Sequence, residues 1–144
     1  MDEHIIKFID SVAALSPQNI PEGFCEGWAT PLSPKDHYEV LCRASHCVVA
    51  VVDRSMIGFV TAISDGILTA YIPLLEVLPQ HRGRGIGSEL VQRIVAKLGR
   101  IYMIDVLCDD DITTFYERLG FTRVSGACIR NHDWHEPVAT YPIQ

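Results

Sequence analysis

The chain has 144 residues, of which 48% are hydrophobic and 21% are charged. This composition is typical of a folded globular protein and excludes a disordered one. The formal net charge of −6 argues against a nucleic-acid-binding surface, which normally needs a basic patch. We therefore expect one globular domain, residues 1–144, with no nucleic-acid partner.

Five cysteines are present, an odd number whose spacing fits neither a disulfide framework nor a CxxC pair. Free thiols in a reducing compartment are the simplest interpretation. The first residues lack the basic segment and apolar core of a signal peptide. No apolar run approaches the roughly 20 residues that a membrane span needs. These features predict a cytoplasmic protein with no membrane partner.

Apolar residues recur at helical spacing near the start of the chain and predict a first helix over about residues 3–15. Prolines and glycines make residues 17–32 a loop. Ser33 followed by Pro34 is typical of a helix start, because serine caps the first turn and proline suits the first helical position. A second helix is expected to run to about Ala44.

The next part of the chain predicts three strands. β-Branched apolar runs indicate strands over 47–52 and 56–64, and the short turn between them implies an antiparallel hairpin. Asp65-Gly66 is a second hairpin signal. The following apolar stretch, 67–78, is too long for one unbent strand, and Pro73 within it predicts a bulge or an unpaired side.

The second half of the chain alternates helices and strands. Apolar spacing predicts an amphipathic helix from Gly85 to Leu98, ended by Gly99. A strand is expected over 101–108. An acidic run then caps a short helix over about 109–119, and a last strand follows over 121–130. This order of elements predicts a mixed sheet with helices packed on it.

The segment Gln80-His81-Arg82-Gly83-Arg84-Gly85-Ile86-Gly87 lies between a predicted strand and a predicted helix. Glycines let the backbone reach positive φ and approach a ligand closely. A helix start offers unpaired N–H groups and the positive end of the helix dipole. With the flanking histidine and arginines, the segment predicts a binding site for phosphate or pyrophosphate.

Gln80-x-x-Gly83-x-Gly85 resembles the acyl-CoA signature (Gln/Arg)-x-x-Gly-x-(Gly/Ala) of the GCN5-related N-acetyltransferase (GNAT) family. A second segment, Phe115-Tyr116-Glu117-Arg118-Leu119-Gly120-Phe121, is similar to the family's "YEKLGF" segment. The strand Leu74-Leu75-Glu76-Val77-Leu78-Pro79 also looks like the family's bulged central strand. The resemblance extends over about residues 68–121.

This resemblance implies an α/β fold of one domain, with a mixed, mostly antiparallel sheet, a splayed central strand pair and helices on both faces. It also implies an enzyme that moves an acetyl group from acetyl-CoA directly to a primary amine, with no covalent enzyme intermediate and no metal. The amine acceptor, a small molecule or a protein amine, is left open. So is acetyl against a longer acyl group.

The resemblance further assigns residues to the site. The pantetheine arm of CoA would pair with the strand, a backbone N–H near Val77 would polarise the thioester carbonyl, and Tyr116 would protonate the departing thiolate. The residues implied to bind the donor are Leu75, Val77, Arg82, Gly83, Arg84, Gly85, Ile86, Gly87 and Ser88.

The attacking amine must be neutral, and amines are mostly protonated at pH 7, so a base or a water chain is needed. Glu76 is the first candidate, because it lies at the expected bulge and points opposite to Leu75 and Val77. Asp105 and Asp65 are weaker candidates.

The chain departs from the family pattern near the tyrosine. The family often has Asn seven residues before it and Ala four residues before it, and here these positions hold Asp109 and Ile112. An aspartate loses the amide donor and adds negative charge near CoA. The backbone cradle for the phosphates does not depend on that residue.

Alternatives to an acetyltransferase remain open at this point. A CoA-binding regulatory module without catalysis would need the same cradle. A dinucleotide site is suggested by Asp105, which lies 22 residues after Gly83, but Ser88 replaces the third glycine of that fingerprint. A P-loop is excluded, because no Gly-Lys-Ser/Thr follows the glycines.

Other residues have weaker functional interpretations. His132 and His135 have the spacing of a metal pair but no evident third ligand. Cys108 could be a nucleophile, although a structural thiol is the simpler interpretation. The acceptor pocket is expected from the loop at 17–32, with Phe24, Trp28 and Tyr71 as candidate lining residues, from the second helix and from the tail. An edge strand invites pairing, so a homodimer is left open.

Overall fold

The computed structural model describes residues 4–28 and 31–131. These residues form six strands and three α-helices, with short 3₁₀ turns at Pro17–Asn19 and Pro79–His81. In chain order the elements are β1 (Lys7–Ile9), α1 (Pro34–Arg43), β2 (His46–Val52), β3 (Ser55–Ser64), β4 (Thr69–Ile72), β5 (Leu75–Val77), α2 (Ile86–Leu98), β6 (Met103–Val106) and α3 (Thr113–Arg118).

The strands form one mixed sheet in the order β1-β2-β3-β4-β6, and β5 also pairs with β3 beyond the end of β4. All these pairs are antiparallel except β4–β6, which is parallel. The expectation of a mixed, mostly antiparallel sheet is therefore confirmed.

Alternation along β2 builds two hydrophobic cores, because successive side chains of a strand point to opposite faces. Val49 packs on one face with Leu41 of α1. Ala50 packs on the other face with Leu90 and Ile94 of α2. The helices thus cover both faces of the sheet, as expected.

Local signals placed several elements correctly. Ser33 caps α1, with its hydroxyl accepting a hydrogen bond of 3.1 Å from the amide of Asp36. Gly99, at φ +61, ends α2. Gly120, at φ +95, ends α3, and the amide of Phe121 returns to the Tyr116 carbonyl at 3.1 Å.

The predicted first helix over 3–15 is wrong. Residues Lys7–Ile9 form β1, which pairs antiparallel with β2 through Lys7↔Val51 and Ile9↔Val49. Phe8 packs against the α2-side core while Ile9 packs against the α1-side core. Neighbouring side chains of a strand point to opposite faces, so Phe8 and Ile9 can each reach a core. Pairing with β2 therefore decides the structure of this segment, and its helical apolar spacing does not.

The predicted last strand over 121–130 is also wrong, because none of these residues forms a strand. Val124 and Ile129 are 79% and 90% exposed. An apolar alternation that buries neither face gains little from joining a sheet.

The expected acidic cap of the short helix is likewise wrong. The N-cap position of α3 is Ile112, and no side chain caps it. The backbone carbonyl of Asp109 accepts from the Ile112 amide at 2.9 Å, so a backbone turn takes the place of a side-chain cap before the helix.

The expected bulge lies at Pro73. Between the pairs Ile63–Tyr71 and Val60–Leu75, the β4–β5 side contains one residue more than β3. Proline has no N–H for the ladder, so an extra residue is tolerated there. The bulge divides the long stretch into β4 and β5.

Within the described ranges, no helix has both the length and the apolar character needed to cross a membrane.

Candidate active site

The sheet opens beyond the bulge. β6 pairs with β4 through Thr69↔Met103 to Ile72↔Val106, but it does not pair with β5. Among the strands that the structure describes, β5 pairs with β3 alone. β5 therefore diverges from β6, and this confirms the expected splayed pair of strands.

One edge of β5 faces this opening. The Leu74 carbonyl accepts from Thr61, and the Leu78 amide donates to Ile57, so these residues turn their backbone groups toward β3. Backbone groups of successive residues in a strand point to opposite sides. Leu75 and Val77 therefore direct their N–H and C=O groups away from β3 and toward the opening.

A cleft of about 1180 Å³ occupies the opening between β5, the start of α2, the end of β6 and α3. The expected site residues that line it are Leu75, Glu76, Val77, Arg82, Gly83, Gly85, Ile86, Gly87, Ser88 and Tyr116. Arg84 is the expected site residue that does not line it. The fold thus gathers two distant sequence segments around one cavity.

The glycine turn presents backbone amides to this cleft. Gly83 and Gly85 have φ values of +75° and +78°, in the left-handed region that favours glycine. Gly85 is the N-cap of α2, and no side chain caps the helix. The amides of Ile86, Gly87 and Ser88 lie in the first helical turn, where an α-helix supplies no partner. The arrangement suits an anion.

The basic side chains of the turn have different contacts. Nε of Arg82 donates to the Val77 carbonyl at 2.9 Å, and its Nη2 lies 3.5 Å from Oε2 of Glu26. Nη1 of Arg84 lies 3.3 Å from Nδ1 of His81. Arg82 and His81 line the cleft. Arg84 does not line it and is connected to it through its contact with His81.

Glu76 is half-buried and pairs regularly with Phe59 of β3. It lies three residues after Pro73, so the expectation that it lies at the bulge is wrong. Its Oε2 accepts a hydrogen bond of 2.8 Å from the Cys25 amide. Burial raises the pKa of the Glu76 carboxyl above its usual value, while the Cys25 hydrogen bond and the positive charge of Arg82 oppose that rise. A carboxylate of raised pKa that lines the cleft can accept a proton.

Tyr116 is buried in α3, 6% exposed, and lines the cleft. Its ring packs edge-on between Phe115 and Phe121, at centroid distances of 5.0 and 5.4 Å. Burial raises the pKa of Tyr116 to about 12. The phenol therefore keeps its proton at neutral pH and is available there as a hydrogen-bond donor.

The weaker base candidates are not placed for catalysis. The Asp65 carboxylate accepts hydrogen bonds from the amides of residues 67–69 in the β3–β4 hairpin, and these bonds lower its pKa. Asp105 is exposed on β6 and does not line the cleft. Asp109 and Cys108 do line it, so the aspartate that departs from the family pattern faces the site.

The structure adds cleft residues that the sequence did not indicate. Glu26 lines the cleft beside Trp28, which is 43% exposed, and part of the segment 126–130 lines the opposite wall. Phe24, expected in the acceptor pocket, is instead buried against Phe59. No local signal identifies Glu26, because only its contact with Arg82 brings it to the site.

Tyr71 and helix α1, also expected at the acceptor pocket, contribute no lining residue to the cleft. His132 and His135 lie outside the described residues. Among residues 4–28 and 31–131, no group of three or more His, Cys, Asp or Glu side chains is arranged to hold a metal ion.

Known proteins match this chain over the region that contains the glycine turn and Tyr116. The model of the acetyltransferase (GNAT) domain matches residues 43–123. A crystal structure of a protein from Deinococcus radiodurans R1, assigned to the acetyltransferases, is 43% identical, with 94% of each chain covered and a TM-score of 0.88.

Two curated relatives match more weakly. GCN5-related N-acetyltransferase 3, chloroplastic, of Arabidopsis thaliana is 44% identical over 68 residues, covering 46% of this chain and 29% of that protein. The uncharacterised N-acetyltransferase ycf52 of Pyropia yezoensis is 22% identical over 109 residues, covering 71% and 63%. The chain thus spans less than two thirds of these curated relatives. Because the GNAT domain model matches more than half of the chain, including most of the residues that line the cleft, the protein belongs to the GNAT acetyltransferase family.

Proposed function

We propose that this protein is an N-acetyltransferase that transfers an acetyl group from acetyl-CoA to a primary amine by direct attack in a ternary complex. The observation that carries the proposal is the open edge of β5. The backbone groups of Leu75 and Val77 face the same cleft as the amides of the glycine turn and the side chains of Glu76 and Tyr116.

The donor would lie along the cleft in an extended form. Its pyrophosphate would accept hydrogen bonds from the amides of residues 83–88, at the start of α2, where the helix dipole also favours negative charge. Arg82 and His81 line the cleft beside this turn, and Arg84 contacts His81 from outside it. The amide groups of pantetheine would pair with Leu75 and Val77 as an added strand pairs with a sheet edge.

Each proton in the transfer has a group to receive or supply it. The neutral amine nitrogen attacks the thioester carbonyl, and the Val77 N–H stabilises the developing oxyanion. Glu76, directly or through water, accepts the proton that the amine loses. When the C–S bond breaks, Tyr116 donates its proton to the CoA thiolate.

Calorimetric titration with acetyl-CoA, desulfo-CoA and NAD tests the donor site. Micromolar binding of both CoA compounds with no NAD binding is expected. Absence of acetyl-CoA binding would overturn the proposal, and saturable NAD binding would favour a dinucleotide site.

An amine-library screen then tests transfer. The acetylated amine and free CoA should be quantified by chromatography, because Cys42, Cys108 and Cys128 are exposed and would react with thiol reagents. Amine-dependent CoA release is expected. Tight acetyl-CoA binding with only slow hydrolysis, unchanged by any amine, would instead support a regulatory CoA-binding module.

A further inference from the structure

The Arg82 side chain contacts both β5 and the loop that precedes α1. Arg82 belongs to the glycine turn, directly before Gly83, yet its side chain reaches back to the Val77 carbonyl at 2.9 Å. The same guanidinium lies 3.5 Å from the carboxylate of Glu26, in the loop that precedes α1. One side chain therefore bridges the turn, the strand and the loop.

The carbonyl that Arg82 occupies lies on the open edge of β5. Leu75 and Val77 turn their backbone groups away from β3, so an extended ligand can pair with β5 only at these groups. A ligand amide that pairs with Val77 would approach the same carbonyl oxygen as the Nε–H of Arg82. A carbonyl oxygen has two lone pairs, so the two donors can share it, but the Arg82 side chain, which lines the cleft, competes with the ligand for the space beside this oxygen.

A phosphate on the glycine turn would offer Arg82 a stronger partner. Arginine binds phosphate through two parallel charge-assisted hydrogen bonds. Its present ion pair is long, and the Arg82 and Glu26 side chains are 54% and 64% exposed, which makes such a pair weak. The Arg82 guanidinium should therefore move from Glu26 to the phosphate when the donor binds.

We propose that Arg82 exchanges partners when acetyl-CoA binds. Its guanidinium leaves the Val77 carbonyl and the Glu26 carboxylate and binds the donor phosphate. This exchange couples donor occupancy to the loop segment Glu26–Trp28. This inference rests on the proposed function. Exchange uncovers the β5 edge for pantetheine and leaves the Glu26 carboxylate without its counter-ion beside Trp28, at the wall of the cleft. Donor binding thus alters the loop wall before an acceptor enters.

The other contacts of the loop limit the extent of the change. The Cys25 amide stays bonded to Glu76 at 2.8 Å, and Gly23 lies close to Leu78, with an added Cβ at 3.2 Å from its side chain. These contacts do not involve Arg82. The movement is therefore confined to the residues after Cys25, where Trp28 is the natural reporter.

The coupling is measured by a double-mutant cycle on acetyl-CoA affinity in the full chain. Glu26→Gln removes the competing carboxylate and should lower the Kd for acetyl-CoA by about two- to fivefold. Glu22→Gln, an exposed acid in the same loop, is the matched control and should leave the Kd unchanged. Arg82→Met should raise the Kd, and Glu26→Gln should have no further effect in that background.

The cycle separates the possible results. If Glu26→Gln leaves the Kd unchanged while acetyl-CoA still binds, the exchange is overturned and the proposed function stands. An equal effect of Glu26→Gln with and without Arg82 would show a general charge effect and would also overturn the exchange. If the unmodified chain does not bind acetyl-CoA, the proposed function fails with it.

A second readout follows the loop itself. The chain has two tryptophans, so Trp134→Phe leaves Trp28 as the reporter. Acetyl-CoA should shift Trp28 emission in this variant, and the shift should shrink when Glu26→Gln is added, because the loop is already released. An undiminished shift would contradict release through Glu26.

Discussion

The amide nitrogen of Cys25 lies 2.8 Å from Oε2 of Glu76, and this hydrogen bond joins the loop before α1 to strand β5. Cys25 is 3% exposed and has φ +61, a conformation that is uncommon for residues other than glycine. The buried side chain holds the backbone so that its N–H points at the carboxylate. One oxygen of Glu76 is thereby fixed while the residue still lines the cleft.

Glu76→Gln tests the proposed base. We expect kcat to fall about a hundredfold, the scale of general base catalysis, with little change in the Kd for acetyl-CoA. Glu39→Gln, on the exposed face of α1, should leave kcat unchanged. Steady-state kinetics with an identified amine measure both variants, and full activity of Glu76→Gln would remove this residue from the mechanism.

The pH dependence gives an independent test of Glu76. The carboxylate is the active form, and burial raises its pKa above the ordinary value, so kcat/KM should rise with pH through that shifted pKa. Glu76→Gln should lose this limb and retain only the limb due to the amine. An identical profile in the variant would show that another group accepts the proton.

Tyr116→Phe tests the proposed acid. The variant keeps the ring between Phe115 and Phe121, so the fold and the acetyl-CoA Kd should be preserved. It should lower kcat by about tenfold or more, because the thiolate leaves without a proton donor. Tyr102→Phe, at an 84% exposed position, is the control. Equal turnover of the two variants would exclude the role of Tyr116.

Gly85→Ala and Gly66→Ala form a matched pair. Both glycines have nearly the same φ, +78° and +76°, and an added Cβ would meet no atom within 4 Å at either site. Each alanine should lower the free energy of unfolding by about 1–2 kcal/mol, because a residue with a Cβ is strained in the left-handed region. Only Gly85→Ala should also raise the acetyl-CoA Kd, because Gly66 lies in the distant β3–β4 hairpin. Denaturant titration and calorimetry measure the two effects, and equal affinities would exclude the cradle.

Burial of His37 should make the stability of the fold sensitive to acid. It is 2% exposed, its Nε2 has no hydrogen-bond partner among the residues that the structure describes, and burial lowers its pKa to about 4 from 6.5. The unfolded chain therefore binds a proton that the folded chain excludes between these values. Stability should fall as the pH drops from 6.5 to 4, by about 3 kcal/mol at most.

His37→Phe should remove that part of the pH dependence. The replacement keeps an aromatic ring against Phe24 and Phe59. His46→Gln, on β2, is the control and should retain the dependence. Urea unfolding at several pH values measures it, and an unchanged slope in His37→Phe would assign the effect to other groups.

Much of the donor side of the site could be predicted from the sequence. The glycine turn and α2 depend on residues close together in the chain, through positive φ at Gly83 and Gly85 and apolar spacing along the helix. The bulge follows from the missing N–H of Pro73. These features are local, so a few neighbouring residues suffice to specify them.

The acceptor side could not be predicted in the same way. The contacts of Glu76 with Cys25 and of Arg82 with Glu26 join residues about 50 positions apart, brought together only when the loop crosses β5. The same physical reason explains β1 and residues 121–130. Whether an apolar segment joins the sheet depends on the partner strand and face that the rest of the fold leaves available. The sequence by itself determined the glycine turn and its helix, whereas only the tertiary structure decided what faces them across the cleft.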